Sequence, residues 1–308
     1  MEALDAVADW PVDAAAVGVV RFPPGDADGA GPPGMPEPTE PTEPTEPTVS
    51  TVSTGDTRRT FAWASVTKPA TALAVLVAVE EGTLALDGPA GPPGSTVRHL
   101  LAHASGLGPG AGPPVEAPGV RRIYSNAGYV AVATALESAS GMAFADYLAE
   151  SVLEPLGMSG TGFIDTPTGA PAAGLAGPLA DLVALAREWA RPTLVSPATW
   201  HQATSVQFAG LAGVLPGFGP FDPCDWGLGV EVRGGKRPHW TGRANSPSTY
   251  GHFGQSGSFF WVDPVAGVLC CGVADRPFGV WAARAWPALA EAVLDQYAPG
   301  VRGDAAGR

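Results

Sequence analysis

A serine three residues ahead of a lysine, in Ser65-Val66-Thr67-Lys68, is the pairing in this chain best suited to nucleophilic chemistry. Residues three apart on a helix share a face, with Cβ atoms about 5–6 Å apart, so an amine at 68 reaches a hydroxyl at 65. A serine hydroxyl is a poor nucleophile near neutral pH and needs a base within hydrogen-bond distance. An ordinary lysine, with a pKa of about 10.4, holds its proton, but burial disfavours the ammonium and catalytic lysines fall to about 7–8. The same four residues also suit a capped helix start with a solvated lysine, so the pair takes its meaning from its companions.

Two further short motifs supply them. Tyr124-Ser125-Asn126 uses one of five tyrosines and one of only two asparagines. His252-Phe253-Gly254 is unremarkable alone among five histidines and 41 glycines, and gains weight only beside the other two.

These residues need elements to hold them. Val66 to Glu81 is alanine-rich and apolar and closes at Gly82, which predicts a mostly buried helix. Pro69 belongs in its first turn, where amides lack intrahelical acceptors, and this puts Ser65 at the helix N-terminus. Further helices are expected over Thr96 to His103, Asn126 to Ser140, Ala143 to Leu153 and Leu179 to Ala190. Strands are expected over Ala14 to Phe22, from Val49 towards Trp63, and over Trp226 to Val232, Ser258 to Val262 and Val268 to Ala274. His252-Phe253-Gly254 then enters the Ser258 strand through a glycine-rich turn, and a helix runs from Trp281 to about Tyr297. Strands at both ends with helices between imply an α+β fold in which the termini share one sheet.

Between the first two strands, Glu37 to Thr48 repeats Glu-Pro-Thr with no apolar side chain to bury. Proline at every third position with repeated charge favours an extended, solvated segment, here a disordered insertion over 23–49.

Composition narrows the function. At 308 residues with 45% hydrophobic and 15% charged side chains, the chain buries a large core. A net charge of −13 repels nucleic acid rather than holding it. No basic n-region opens the chain and no run reaches the roughly 18 apolar residues of a membrane span, so the expectation is a cytoplasmic protein without a membrane partner. Cys224, Cys270 and Cys271 are odd in number and lack metal-ligand spacing, so they read as free buried thiols, with no metal and no cofactor expected. No Gly-x-Ser-x-Gly elbow, His-Glu-x-x-His pair or phosphate-binding glycine loop occurs.

Together, in this order and spacing, the three motifs resemble those of the serine β-lactamase and penicillin-binding protein superfamily. The closest likeness is to its class C β-lactamase, D-alanyl-D-alanine carboxypeptidase and family VIII esterase branch. The stretches 61–69, 97–107, 153–158 and 251–264 are similar to that branch as well, and the likeness covers about residues 10 to 297. It implies one β-lactamase/transpeptidase-like domain, with a sheet lobe over about 8–64 and 226–297 and a helical lobe over about 66–200.

The resemblance also implies roles: Ser65 as nucleophile, Lys68 as its activator and Tyr124 as proton relay. Asn126 orients Lys68 and substrate, His252 and Gly254 form the third motif, and the backbone N–H groups of Ser65 and Gln255 make the oxyanion hole. Either Lys68 or Tyr124 serves as the formal base. Phe253 departs from the pattern, because relatives that grip a carboxylate have threonine or serine there. The function expected is hydrolysis of small esters through an acyl-enzyme, with an ester or amide as the small-molecule partner. The alternatives are a β-lactamase or D-alanyl-D-alanine carboxypeptidase, and a non-catalytic ligand-binding protein. Trp63, Trp226, Trp240 and Phe253 are candidates for an acyl pocket, and His103 for a structural hydrogen bond beneath the site floor. His99, His201 and His239 show no partner pattern.

Overall fold

The structure, a computed structural model, describes residues 2–23, 51–164 and 170–300. The Glu-Pro-Thr tract lies outside the described residues. A 3-10 turn, Ala3–Asp9, precedes β1 (Ala15–Arg21), β2 (Thr51–Gly55) and β3 (Phe61–Ala62). A second 3-10 turn, Ala64–Val66, leads into α1 (Thr67–Glu80), followed by α2 (Val97–Leu101), α3 (Asn126–Ser140) and α4 (Phe144–Leu148). Next come β4 (Gly162–Phe163), α5 (Ala170–Ala173), β5 (Leu175–Gly177), α6 (Leu179–Ala190), α7 (Pro197–Thr204), β6 (Gly213–Leu215) and β7 (Gly219–Phe221). The chain closes with β8 (Glu231–Val232), β9 (Tyr250–Gly254), β10 (Ser258–Asp263), β11 (Val268–Ala274) and α8 (Val280–Tyr297).

The main sheet runs β2-β1-β11-β10-β9-β8, with antiparallel neighbours throughout. β1 pairs with β11 from Ala15↔Ala274 to Arg21↔Val268, so the two ends of the chain meet in the middle of the sheet. Both central strands are buried on both faces, and for that reason they read as near-continuous apolar runs. Alternation still sorts their side chains. Val17, Val19, Val268 and Cys270 pack with α8 and the N-terminal turn, while Val20, Leu269, Cys271 and Val273 pack with α1, α3 and α6. All three cysteines are free and buried.

Several expected boundaries move. The strand expected from Val49 towards Trp63 is broken into β2 and β3 by the Asp56-Thr57-Arg58-Arg59 turn. Of Trp226 to Val232 only Glu231–Val232 is strand. Gly229 takes φ +97°, and a Cβ on it would meet the Ala72 Cβ at 2.2 Å, so the backbone there dips onto α1 instead. His252-Phe253-Gly254 is itself part of β9, because sheet pairing outweighs the two glycines that hide the strand in sequence. The helix expected over Thr96 to His103 shortens to Val97–Leu101, since His103 takes a left-handed φ of +55°. Ala143 to Leu153 divides into α4 and a wider π turn, Ala149–Leu153. No helix among the described residues is long and apolar enough to cross a membrane.

Candidate active site

Ser65 sits in the 3-10 turn that feeds α1, between β3 and the turn that follows β9. Ala64 before it holds a left-handed φ of +45°, a costly conformation for a residue with a Cβ. The turn after β9 straps this segment down: Ser256 Oγ donates to the Ala62 carbonyl at 2.6 Å and Ser258 Oγ to the Trp63 carbonyl at 2.6 Å. Gly254 fits because it lacks a side chain. A Cβ there would meet the Trp63 carbonyl oxygen at 2.3 Å and the Ser65 nitrogen at 3.2 Å. Gln255, the next residue, lines the same cavity as Ser65. Phe278 N–H donates to the Gln255 carbonyl at 2.8 Å, and the Gln255 side chain donates to the Phe278 carbonyl at 3.1 Å, which fixes that peptide.

Lys68 is fully buried in the first turn of α1. Its Nζ lies 3.1 Å from Ser65 Oγ, 2.7 Å from Asn126 Oδ1 and 2.9 Å from the Ala172 carbonyl oxygen. Among the described residues no carboxylate joins this cluster, and burial pushes the ammonium well below the usual lysine range. Two of the three partners can only accept, so the two hydrogens of a neutral amine are taken by Asn126 and Ala172. Its lone pair is left for the Ser65 hydroxyl, the one partner able to donate. A neutral amine in this position is oriented to accept a proton from Ser65.

Tyr124 is hydrogen-bonded to Ser65, and burial raises its phenol above the ordinary range. Lys68 Nζ lies 4.7 Å from the Tyr124 ring centroid. The motif's middle residue, Ser125, caps α3 by accepting from Gly128 N–H at 2.9 Å and donates to the Gly108 carbonyl at 2.6 Å. Ser125 N–H donates to His103 Nδ1 at 3.1 Å, so His103 does make the expected structural hydrogen bond. Asn126, the first residue of α3, then points its amide at Lys68.

His252 on β9 is buried, and this burial above all lowers its imidazole to about 3. It is neutral at physiological pH. A cavity of about 210 Å³ joins the three motifs: Ser65, Tyr124 and Asn126 face Trp226, His252 and Phe253 across it. Leu215 and Pro216, from the β6–β7 hairpin, close one side. Of the four aromatic candidates only Trp226 and Phe253 line it, whereas Trp63 and Trp240 are buried behind the wall. A larger hollow of about 680 Å³ beside β2 and the N-terminal turn is lined by no residue of the three motifs. Among the described residues no group of three or more His, Cys, Asp or Glu is placed to hold a metal ion.

A family model described as Beta-lactamase matches residues 51–294. The chain belongs to the Beta-lactamase family. A crystal structure of a β-lactamase (Mb2281c) from Mycobacterium bovis is 47% identical, covers 96% of this chain and 99% of its own, and superposes with a TM-score of 0.85. Penicillin-binding protein 4* of Bacillus subtilis is 33% identical over a segment that makes up 34% of this chain and 31% of that protein. The chain thus matches about a third of the length of that curated relative. EstCE1, described as a hydrolase with promiscuous acyltransferase activity, shares the fold at 17% identity, covering 94% of this chain and 96% of its own with a TM-score of 0.68.

Two features of this Beta-lactamase family member carry no motif in the sequence. Arg122 is buried two residues before Tyr124, and its guanidinium donates to the carbonyls of Ala102 (2.5 Å), Cys224 (3.0 Å), Gln207 (2.6 Å) and Phe208 (3.4 Å). It ties together the segments that carry His103, Trp226 and Tyr124, and burial lowers it to about 10. The second feature is the other lysine. Lys236 Nζ pairs with Glu231 Oε1 at 2.7 Å, with the two side chains 1% and 2% exposed. His239, which shows no partner pattern in sequence, lies 2.9 Å from Glu231 Oε2, and Trp240 donates to the same oxygen at 2.8 Å. Burial works against the Glu231 carboxylate, yet His239 and Lys236 outweigh it and hold the group well below the usual range. A chain with two lysines offers a signal for this network, since a second isolated lysine on so apolar a chain invites a search for its carboxylate.

Proposed function

We propose that this protein is a serine hydrolase that cleaves small neutral esters through an acyl-enzyme on Ser65. The observation that carries the reading is the polarity of the Lys68 contacts, with two obligate acceptors and one hydroxyl around a buried amine. Ser65 Oγ attacks the ester carbonyl carbon as its proton passes to the Lys68 lone pair. The carbonyl oxygen becomes the oxyanion held by the backbone N–H groups of Ser65 and Gln255, each donor of this kind contributing about 2.7–4 kcal/mol. As the tetrahedral intermediate collapses, the ester C–O bond breaks and Tyr124 passes a proton to the departing alkoxide, recovering one from Lys68. Water then attacks the acyl-Ser65 carbonyl, and the acid leaves.

Neutral esters are favoured over carboxylate-bearing substrates on two grounds. His252 is uncharged at working pH, and Phe253 brings no hydroxyl to the cavity. A second reading, β-lactam hydrolysis, is supported by the 47% identity to the Mycobacterium bovis β-lactamase. Turnover of p-nitrophenyl butyrate and of nitrocefin, with fluorophosphonate labelling of wild type and Ser65→Ala, decides between them. Butyrate hydrolysis and labelling that both disappear in Ser65→Ala are expected. Full activity in Ser65→Ala refutes the assignment, and nitrocefin turnover exceeding butyrate turnover favours the second reading.

A further inference from the structure

The Tyr124-Ser125-Asn126 motif is held by the segment that follows α2, through four hydrogen bonds. Ile123 N–H donates to the His103 carbonyl at 2.8 Å, and Ser125 N–H to His103 Nδ1 at 3.1 Å. Ser125 Oγ donates to the Gly108 carbonyl at 2.6 Å, and Asn126 N–H to the Pro109 carbonyl at 3.2 Å. The first two bonds bracket Tyr124, so one residue, His103, holds the chain on both sides of it. The imidazole also packs on the phenol, with ring centroids 4.5 Å apart.

Two properties of His103 fit this arrangement. Its φ of +55° is uncommon for a residue with a Cβ, and such strain persists only where the surrounding structure holds it. In that conformation its carbonyl and its ring both meet the 123–125 segment. The second property is a neutral ring. Nδ1 accepts the Ser125 N–H only while unprotonated, which leaves the ring hydrogen on Nε2. Burial keeps the ring neutral by lowering its pKa well below the ordinary range, and Lys68, His252 and Arg122 act in the same direction. Tyr124 lines the cavity with Ser65 and His103 does not, so His103 acts on the reaction through Tyr124.

We propose that His103 is the positioning residue for Tyr124, holding the phenol where it protonates the leaving group. This rests on the esterase reading of Ser65 and deepens it, because a leaving group that needs a proton depends on His103 and one that needs none does not.

Two esters with the same acyl group test it. Ethyl butyrate releases an alkoxide that takes a proton as it departs, whereas p-nitrophenolate leaves without one. His103→Gly accommodates the left-handed φ and removes both ring and acceptor. Its kcat should fall about tenfold or more further on ethyl butyrate than on p-nitrophenyl butyrate, with KM changed much less. Asparagine tolerates the same φ and places Oδ1 where Nδ1 stood, so His103→Asn should recover most of the rate lost on ethyl butyrate. Tyr124→Phe should show the selective loss as well, and adding His103→Gly should not deepen it. His103→Leu, which fills the ring's space without an acceptor, takes the place of the glycine variant if that variant does not fold. Equal losses on the two esters, no recovery with asparagine, or a selectivity that multiplies in the double variant overturns the proposal and leaves the esterase reading intact. Should wild type hydrolyse no ester, the esterase reading fails and the phenol itself decides. In [13Cζ]-tyrosine protein the signal missing from Tyr124→Phe belongs to residue 124. Burial raises its pKa in wild type, so a Tyr124 released by His103→Gly should titrate at lower pH and return towards wild type in His103→Asn. The same titration in all three proteins refutes the proposal.

Discussion

The chain has two lysines, both buried, and their surroundings differ in charge. Lys68 is packed among neutral partners, a hydroxyl, an amide oxygen and a backbone carbonyl, with no described carboxylate in reach of its Nζ. Lys236 is clamped to the Glu231 carboxylate and donates besides to the carbonyls of Asp225, Val232 and Arg233. Burial without a counter-ion drives the first towards the free amine, because desolvation penalises only the charged form. In the second, each charge offsets the other's desolvation, and the pair becomes a fixed joint beside β8. A buried lysine among neutral neighbours is thus suited to act as a base, and one beside a carboxylate to act as a brace.

The comparison breaks most sharply at Lys68 itself. Lys68→Met should lower kcat/KM for ester hydrolysis by about 10²–10⁴, the usual contribution of a positioned general base. Urea unfolding of the same variant should show no comparable loss of stability, since an uncompensated buried amine is replaced by an apolar chain of similar length. At the other lysine the expectation is reversed. Glu231→Gln leaves Lys236 buried and unpaired, and should cost about 3–5 kcal/mol of stability in urea unfolding. Adding Lys236→Met should restore a large part of that loss, and a strictly additive double mutant would contradict the joint.

Asn126→Asp makes the first site resemble the second. A carboxylate at hydrogen-bond distance favours the ammonium and should raise the Lys68 pKa by about 1–3 units. In the proposed mechanism the neutral amine is the active form, so activity should rise as pH rises through the Lys68 pKa and level off above it. In wild type that limb lies below the ordinary lysine range, and in Asn126→Asp the kcat/KM profile should move to higher pH. The smallest effect is expected at a buried arginine, Arg122. Arg122→Lys keeps the charge but cannot span four carbonyls, and should cost about 1–3 kcal/mol of stability with a fall in kcat from a less well held Tyr124.

Much of this site is legible in the sequence alone. Apolar pattern with glycine and proline stops places α1, α3 and α6 well, because these signals are local; of the three only α3 adds a side-chain cap, Ser125 before Asn126. β1 and β11 are equally plain, being buried on both faces. β9 is not, since its two glycines are explained only by what lies across them: the backbone of β10 at Gly251, and the Trp63–Ser65 backbone at Gly254. The Arg122 clamp and the Glu231–Lys236–His239 network are hidden for a related reason. Their partners are backbone carbonyls, or side chains five and eight residues from Glu231, and no periodic pattern announces them. The reacting groups of a motif keep their spacing in one dimension, whereas the groups that hold them in place belong to the packed chain.

Having only two lysines makes the central claim directly measurable. Protein labelled with [13Cε]-lysine should give two side-chain resonances, and Lys68→Met identifies the one that belongs to residue 68. A pH titration by 13C NMR should show that resonance changing well below the ordinary lysine value of about 10.4, with the same midpoint as the acid limb of kcat/KM. A Lys68 resonance that stays in its protonated position up to that ordinary range, in an enzyme already at full activity, would contradict the account.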